Sequence, residues 1–336
     1  MSKRLIIVLC SLIVLLIVGV IIYYFTTVTP PSVEVKPVSL RFATYITGSG
    51  WYVLGGAIAE ILRERLPQGS TIDVLPYAGG VSNNILVANK TVDMALSFTY
   101  TAKMAFEGYP PFTSKLQNLR LVACGLDVYW FAYGVTSYSD VKSIDDIINP
   151  KHPIRVATGP KGSSAEHAFR LLLEAYNMTY DDLKGKGVSI MFTDFDTILR
   201  EAQAGRLDVI ITVTNPGHPT WTQLFISPGM RFLSLPEKVL KYLHDKYGLE
   251  SGKIPAGTFP NSNEAITVQF STVIIVRDDM PSEIVYIITK ALAENKDKIV
   301  ATYKAATIWD PSKWKECAVI PYASGATKYY EEKYGK

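Results

Sequence analysis

The sequence predicts an α/β protein with two similar lobes and a membrane-spanning helix at its N-terminus. Three observations support this prediction. Segments with strand and helix patterns alternate along the body of the chain, the same order starts again near residue 154, and the first 28 residues contain a long apolar run. Strands that alternate with helices and are apolar throughout are typical of a sheet covered on both faces. We therefore expect two α/β lobes, each with a mainly parallel sheet.

The first 28 residues have the pattern of a membrane anchor. Lys3 and Arg4 precede an uncharged run from Leu5 to about Val28. At 1.5 Å per residue, about 20 apolar residues cross a hydrocarbon core of roughly 30 Å. No convincing small-x-small cleavage site follows Phe25, so we expect residues 5–25 to be retained, with a cleaved signal peptide as the alternative. Because basic residues stay in the cytoplasm, the body of the protein is expected on the extracytoplasmic face of the cell membrane.

The composition narrows the class of protein further. Of the 336 residues, 48% are hydrophobic and 19% are charged, which excludes a mainly disordered chain. The net charge of +3 includes no dense basic block, so nothing indicates binding to nucleic acid. Residues 29–39 are rich in Thr, Pro, Val and Ser, and we expect them to form a semi-extended linker between the anchor and the body.

The first half of the body alternates between strand and helix patterns. The run 40–45 is apolar and ends at a glycine-serine turn, and 53–66 then has apolar residues at helical spacing until Pro67. Similar reasoning predicts strands at 71–75, 92–98 and 119–126, and a helix at 80–88.

The same order returns in the second half. A strand at 154–158 runs into a second glycine-serine turn, and an amphipathic helix follows at 165–176. The pattern continues with strands at 188–192 and 207–213, a helix at 195–204, a strand at 272–276 and one long helix at 282–304.

The two glycine-serine turns, Thr47–Tyr52 and Gly159–Ser164, are candidate ligand sites. Each leads from a strand into a helix, whose first N–H groups are free and carry partial positive charge. A carboxylate or phosphate suits such a position. The alternative is that Ser49 and Ser163 merely cap their helices. One such turn in each half favours a ligand held between the lobes.

Signs of enzymatic chemistry are weak. The sequence contains no G-x-S-x-G and no nucleotide-binding glycine loop, and its four histidines have no metal-ligand spacing, so we expect no catalytic residue, metal or cofactor. His218 either faces a cleft or is a loop residue. Cys124 and Cys317 either pair or remain buried thiols, and the thiols are the preferred interpretation. The aromatic cluster 129–133 is either a ligand wall or a core strand.

Nine short stretches occur in a specific order between residues 40 and 333. In that order they resemble the TAXI-type solute receptors of TRAP (tripartite ATP-independent periplasmic) transporters. The membrane span here replaces that family's usual lipoprotein or cleaved signal, and the first turn is shortened. The matching stretches are Thr47–Tyr52, Leu54–Leu62, Gly79–Asn83, Val92–Leu96, Arg155–Ser164, Gly205–Ile210, Asn215–Pro219, Ile254–Thr258 and Gly325–Tyr330.

The resemblance implies a type II periplasmic-binding-protein fold with two lobes joined by crossing strands. Lobe one would comprise 40–128 and 268–336, and lobe two 129–267. It also implies a receptor that catalyses no reaction. Such a receptor would hold a small organic acid, glutamate or another dicarboxylate, and deliver it to TRAP membrane subunits driven by an ion gradient. The alternatives are a receptor for an ATP-driven importer, an enzyme on the same fold, and a surface sensor.

The predicted ligand-binding residues follow from the turns and strand ends of this fold, because open α/β sheets bind ligands at the carboxyl ends of their strands. Lys161 is the only cation in the turns and could pair with a carboxylate, or it could be a solvated loop residue. The full set is Ser49, Gly50, Trp51, Tyr52, Ser82, Asn83, Ser97, Thr99, Lys161, Ser163, Ser164, Thr212 and Thr214.

Overall fold

A computed structural model of the chain describes residues 35–335, together with residue 14 and residues 16–18. The chain divides into two compact units, Met1–Lys36 and Pro37–Lys336. Within the described part of the chain, no helix is both long enough and apolar enough to cross a membrane. The anchor predicted at 1–28 lies outside the described residues, apart from residue 14 and residues 16–18.

The second unit contains two sheets, and each belongs to one lobe. The sheet of the first lobe has the strand order β2-β1-β3-β12-β4. Its strands are β1 Ser39–Ala43, β2 Thr71–Leu75, β3 Met94–Phe98, β4 Leu119–Cys124 and β12 Thr272–Arg277. Its helices are α1 Gly50–Arg65, α2 Gly80–Ala88, α3 Thr99–Glu107, α10 Ser282–Glu294, α11 Lys296–Thr302 and α12 Ser324–Tyr334.

The sheet of the second lobe has the order β10-β11-β5-β8-β6-β7, and β9 also pairs with β5. Its strands are β5 Tyr129–Thr136, β6 Ile154–Thr158, β7 Val188–Phe192, β8 Val209–Thr214, β9 Met230–Phe232, β10 Ser251–Ile254 and β11 Ala265–Phe270. Its helices are α4 Ile144–Ile148, α5 Ser164–Ala175, α6 Tyr180–Gly185, α7 Phe195–Gln203, α8 Pro219–Ile226 and α9 Glu237–Tyr247.

The prediction of mainly parallel sheets is wrong, because both sheets are mixed. In each lobe three strands are parallel, β2-β1-β3 in the first and β7-β6-β8 in the second. Beside this parallel set, each sheet contains an antiparallel strand. In the first lobe β12 runs antiparallel to β3, and in the second lobe β5 runs antiparallel to β8. The apolar sequences of β12 and β5 show that these strands are buried. A buried strand is apolar in either direction, so its sequence does not predict whether it is parallel or antiparallel to its neighbour.

The chain passes between the lobes twice. The first crossing, Gly125–Val128, lies between β4 and β5, and the second is Ser271, between β11 and β12. Both crossings are short, so the strands that flank them continue almost directly from one sheet into the other. β1 begins at Ser39, the last residue of the linker predicted at 29–39, and residues 29–34 of that prediction lie outside the described residues.

The helix predicted at 282–304 is divided. α10 ends at Glu294 and α11 begins at Lys296, and a short 3₁₀ helix follows at Lys304–Ile308. The break is at Asn295, whose side-chain amide donates to the Ala291 carbonyl at 2.8 Å. Asparagine side chains compete in this way with the backbone hydrogen bonds of a helix, and the apolar spacing of the segment does not report such competition.

The preferred interpretation of the two cysteines is also wrong, because Cys124 and Cys317 form a disulfide. Their Cα atoms lie 5.9 Å apart, within the range that disulfides require. The bond joins the end of β4 to the segment before α12. Two further contacts hold the C-terminal region to the same strand: a bridge between Leu121 and Tyr322, and a 3.0 Å hydrogen bond from the Tyr330 hydroxyl to the Val122 carbonyl.

Candidate functional site

A cavity lies between the two lobes, at the carboxyl ends of their strands. The space between the surrounding atoms, open mouth included, is about 390 Å³, of which about 30 Å³ admits the centre of a water-sized molecule, so the closed cavity is small. The first lobe contributes Tyr45, Ser49, Gly50, Trp51, Ala78, Gly80 and Phe98, and the second contributes Tyr129, Ser164, Ala165, Phe195, Val213 and His218.

The first predicted turn forms one wall of the cavity. Ser49 caps α1, and its Oγ accepts the N–H of Tyr52 at 3.2 Å. The N–H groups of Gly50 and Trp51 come earlier in the helix and have no acceptor within it. Because Ser49, Gly50 and Trp51 all line the cavity, the positive end of α1 is directed towards this space.

The second predicted turn supplies an equivalent helix end from the other lobe. Ser163 caps α5, and its Oγ accepts the N–H of Glu166 at 3.1 Å. Ser164 and Ala165 form the first positions of the helix and line the cavity. Ser164 is 4% exposed, and its Oγ lies close to the buried Tyr100 hydroxyl, although neither hydroxyl forms a hydrogen bond of regular geometry within the described chain. A buried hydroxyl without a partner is costly, and a bound solute would supply one.

The two lobes touch each other beside the cavity. The backbone N–H and the hydroxyl of Ser82, in α2, both donate to the Gly162 carbonyl, at 3.2 and 3.1 Å. Gly80 packs so closely on the second lobe that a Cβ atom there would lie 1.8 Å from the Ser164 Oγ. The structure is therefore a closed arrangement of the lobes, in which glycine at position 80 permits the contact.

Aromatic rings form most of the remaining surface. One group packs around Trp51, whose ring centroid lies 4.3 Å from that of Phe98 and 6.4 Å from that of Tyr129. On another part of the cavity wall, Phe195 lies between Tyr45, at 6.2 Å, and the ring of His218, at 4.6 Å. The walls thus present flat apolar surfaces with a few hydroxyl groups at their edges.

His218 lines the cavity from the loop that leads into α8, so it satisfies both interpretations of the residue. Only 5% of it is exposed, and its Nδ1 atom has no partner within the described chain. Burial penalises the charged imidazole and lowers its pKa to about 4. His218 is therefore neutral near pH 7, and it contributes a polar ring atom without a formal charge.

A buried hydrogen-bond network ties the floor of the cavity to both crossings. Asp127, in the first crossing, accepts from the N–H and the hydroxyl of Thr272, next to the second crossing, each at 2.9 Å. It also accepts from the Tyr303 hydroxyl at 2.8 Å, and the Asn215 amide of the second lobe donates to that hydroxyl at 2.9 Å. Burial raises the pKa of Asp127 to about 6, although the three donors oppose this shift.

The predicted site residues separate into two groups. Four of them line the cavity: Ser49, Gly50, Trp51 and Ser164. Ser163 and Ser82 lie next to it, as the cap of α5 and as the contact between lobes. Lys161 does not line the cavity, and its Nζ lies over the ring of Phe192, 5.3 Å from the centroid.

The other predicted residues make contacts within the fold. The Asn83 amide donates to the carbonyls of Thr44 and Leu96, and Ser97 bonds with Asn84 and Thr101. Thr99 exchanges hydrogen bonds with Ser271 at the second crossing, through its backbone N–H and its hydroxyl. Three predicted positions remain. Tyr52 is half-buried on α1, and the Thr212 hydroxyl accepts a hydrogen bond from the Trp221 ring N–H at 3.0 Å. The buried Thr214 hydroxyl has no partner within the described chain.

Apart from Trp51, sequence reasoning missed most of the apolar part of the site. Phe98 lies in β3, which is buried throughout, so periodicity does not show which of its side chains faces a cavity. Val213 is the half-buried residue of β8, and its apolar side chain gave no sign of a ligand site. Tyr45 lies shortly after the end of β1, and Phe195 begins the helix that follows β7, so their position near strand ends was the available signal. The aromatic cluster at 129–133 satisfies both interpretations, since β5 is buried throughout and its first residue, Tyr129, lines the cavity.

One protein family and several solved structures are similar to this chain. The sequence pattern of the NMT1-like family matches residues 42–333. Among solved structures, malate-bound MatC from Rhodopseudomonas palustris is 13% identical, with a TM-score of 0.55 over 89% of this chain and 97% of that one. XAC2383 from Xanthomonas citri bound to ATP is 12% identical, with a TM-score of 0.50 over 88% and 98%. The periplasmic aliphatic sulphonate binding protein SsuA from Escherichia coli is 12% identical, with a TM-score of 0.42 over 88% and 84%.

Proposed function

Because this chain belongs to the NMT1-like family, we propose that it is an extracytoplasmic receptor that captures a small organic anion between its two lobes. The cavity carries this proposal. Two helix N-termini, one from each lobe, end at the same space, and the unpartnered Ser164 hydroxyl lines it as well. Helix N-termini bind anions through free N–H groups and through the dipole of the helix.

The fold supports a role in binding. The chain has the mixed α/β, two-sheet fold of the periplasmic-binding-protein type, shared with MatC at a TM-score of 0.55. The neighbours bound to malate and to ATP hold anions, which agrees with an anionic solute here. Within the described residues, no three His, Cys, Asp or Glu side chains converge as they would around a metal ion. The family match and the shared fold are the basis on which we propose a receptor and not an enzyme.

The proposed location is the outer face of the cell membrane. The apolar run at 5–25, preceded by Lys3 and Arg4, is the basis for a retained anchor, and the disulfide between Cys124 and Cys317 suits an oxidising compartment. N-terminal sequencing of the mature protein is expected to begin at or near residue 1. A sequence that begins between residues 26 and 38 would instead show a cleaved signal.

The proposed partners are the membrane subunits of a TRAP-type transporter, driven by an ion gradient. This step rests on the resemblance of the ordered stretches between residues 47 and 330 to TAXI-type receptors. Co-purification from native membranes tests it. We expect a multi-span permease without an ATPase, whereas recovery of an ATPase would assign the receptor to an ATP-driven importer.

Mass spectrometry of molecules released from the purified protein tests the receptor function. The protein is denatured after purification, the released small molecules are identified, and calorimetry then measures their affinity for fresh protein. We expect a small organic anion that binds without being altered. Conversion of that molecule into a product, or failure of every released molecule to bind again, would contradict the proposal.

A further inference from the structure

The wall of the cavity has no formal charge. Of the described residues that line it, none is Lys, Arg, Asp or Glu, and the one titratable imidazole, His218, has its pKa lowered to about 4 by burial. A charged group taken out of water requires an opposite charge or several strong hydrogen bonds. This cavity offers hydrogen-bond donors and no cationic side chain.

The donors are sufficient for one carboxylate. The N–H groups at the start of α5 and the Ser164 hydroxyl lie on one side, and those at the start of α1 lie on the other. Each helix end carries roughly half of a positive charge, so two of them balance about one negative charge. A second carboxylate on the same solute would have no comparable partner.

Two buried carboxylates beside residues of the cavity lining make a second carboxylate still less favourable. Glu166, in the first turn of α5, is 3% exposed, and its carboxylate already accepts from Arg170 at 2.5 Å and from Tyr180 at 2.9 Å. Asp127 lies beneath Tyr129 and Tyr303. Both groups are acidic, whereas Lys161 lies over the Phe192 ring and outside the cavity lining.

The apolar part of the wall indicates what the rest of the solute contains. Five rings line the cavity: Tyr45, Trp51, Phe98, Tyr129 and Phe195. Aromatic faces recover free energy by burying apolar surface, and a polar solute body would leave its hydrogen bonds unmade against them.

We propose, building on the receptor function above, that the solute is a monocarboxylate with a compact apolar or ring-shaped body. This class differs from glutamate and other dicarboxylates, which the sequence resemblance implies. The carboxylate binds between the starts of α1 and α5, and the body lies between the aromatic walls. The juxtaposition that supports this assignment is an uncharged, ring-lined cavity at two opposed helix N-termini.

Two matched sets of probes test the proposal on the full-length protein in detergent. The first set is propionate, methylmalonate and propionamide, and the second is phenylacetate, phenylmalonate and phenylacetamide. Within each set the body is the same, while the number of carboxylates is one, two or none. Calorimetry is expected to show the monocarboxylate binding at least tenfold more tightly than the amide, because hydrogen bonds to a charged acceptor are the stronger ones. The dicarboxylate is expected to bind about 100-fold more weakly than the monocarboxylate.

An added cation provides the converse test. Ala78→Lys places an ammonium group at the cavity lining, on a residue that is half-buried. In this variant methylmalonate or phenylmalonate is expected to gain at least tenfold in affinity over the original protein. The matched substitution Ala78→Met adds similar bulk without charge and is expected to give no such gain.

The outcomes separate the two proposals. A dicarboxylate that binds the original protein more tightly than its matched monocarboxylate, and weakens on Ser164→Ala, would overturn the assignment of solute class and leave the receptor function intact. Amides that bind more tightly than their matched monocarboxylates would also overturn the solute class and leave the receptor function intact. If none of the six probes binds, the assignment of solute class is overturned. If the molecules released on denaturation fail to bind again, the receptor function itself is overturned.

Discussion

Two adjacent serines at the start of α5 have different predicted roles. Ser163 Oγ caps the helix, whereas the Ser164 hydroxyl lines the cavity without a partner. We expect Ser164→Ala to weaken solute binding by about 1–2 kcal/mol, because it removes a donor to the bound carboxylate. We expect Ser163→Ala to lower the free energy of unfolding by about 1 kcal/mol, the usual effect of losing an N-cap.

Calorimetry with the released solute and urea denaturation measure these two effects separately. Each variant is the control for the other, since the two serines are neighbours of the same size. The account is contradicted at this position if Ser164→Ala binds the solute as tightly as the original protein does.

The buried His218 predicts a specific dependence of stability on pH. Burial lowers its pKa from 6.5 to about 4, so the unfolded chain takes up a proton near pH 6.5 and the folded protein does not. The resulting stability is complete above pH 6.5 and is lost as the pH falls towards 4. The pKa of His167 is lowered to about 3, so this residue also makes the protein less stable as the pH falls. The pKa of Asp127 is raised to about 6, so this residue makes the protein more stable as the pH falls below 6.

Comparison of variants isolates the contribution of His218. Between pH 7 and pH 5 the original protein is expected to lose about 2 kcal/mol more unfolding free energy than His218→Gln loses. Denaturation curves at the two pH values provide the measurement, and His152→Gln, at an exposed position, is the control. Identical losses in the original protein and in His218→Gln would mean that the imidazole is not buried in the neutral form.

At the scale of single residues, the sequence predicted four residues that line the cavity and missed most of its apolar lining. Ser49, Gly50, Trp51 and Ser164 were predictable, because they belong to strand-to-helix turns. Phe98 was not, because every residue of its strand is buried and periodicity cannot show which one faces a ligand.

Among the secondary structure elements, the contact between α2 and α5 gives a test of closure. A Cβ atom at Gly80 would lie 1.8 Å from Ser164 Oγ and 2.7 Å from its backbone N. Gly80→Ala is therefore expected to hold the lobes apart and to weaken solute binding at least tenfold, by calorimetry, while each lobe still folds.

Gly205→Ala is the matched control for backbone strain. Both glycines have a positive φ, +35° at Gly80 and +71° at Gly205, and a Cβ at Gly205 would meet no atom within 4 Å. Both variants are expected to lose about 1 kcal/mol of stability, and only Gly80→Ala is expected to lose affinity. Equal affinity in the two variants would exclude the contact between α2 and α5 from the bound state.

The disulfide predicts a second effect at this scale. It closes a sequence separation of 193 residues and fastens the C-terminal region to β4. Cys317→Ser is expected to lower the free energy of unfolding by about 2–4 kcal/mol, mainly by releasing the unfolded chain from a constraint. Denaturation with and without a reductant measures this loss. The reductant is expected to destabilise the original protein and to leave the variant unchanged.

Most elements of the two parallel strand sets were predictable from apolar runs and turns. The strands at 71–75, 154–158 and 188–192 and the helix at 80–88 have the predicted bounds. Strand direction was not predictable, because β5 and β12 are antiparallel to neighbours that are buried as fully as they are. The break at Asn295 depends on a single side-chain hydrogen bond.

For the whole molecule, the account depends on two lobes that close around a solute. Closure brings Ser82 to Gly162 and completes a cavity that neither lobe forms alone. A solute that contacts both lobes binds the closed form better and shifts the population towards it. It is therefore expected to raise the melting temperature by an amount that grows with the logarithm of its concentration above the dissociation constant.

Neutron scattering from the full-length protein in contrast-matched nanodiscs tests this central claim most directly. The radius of gyration of the protein is measured with and without a saturating concentration of the solute released on denaturation. Without solute, the account predicts separated lobes and the larger radius of gyration. With solute, it predicts closed lobes and a smaller radius of gyration. A radius of gyration that stays the same at saturation would contradict closure around the solute.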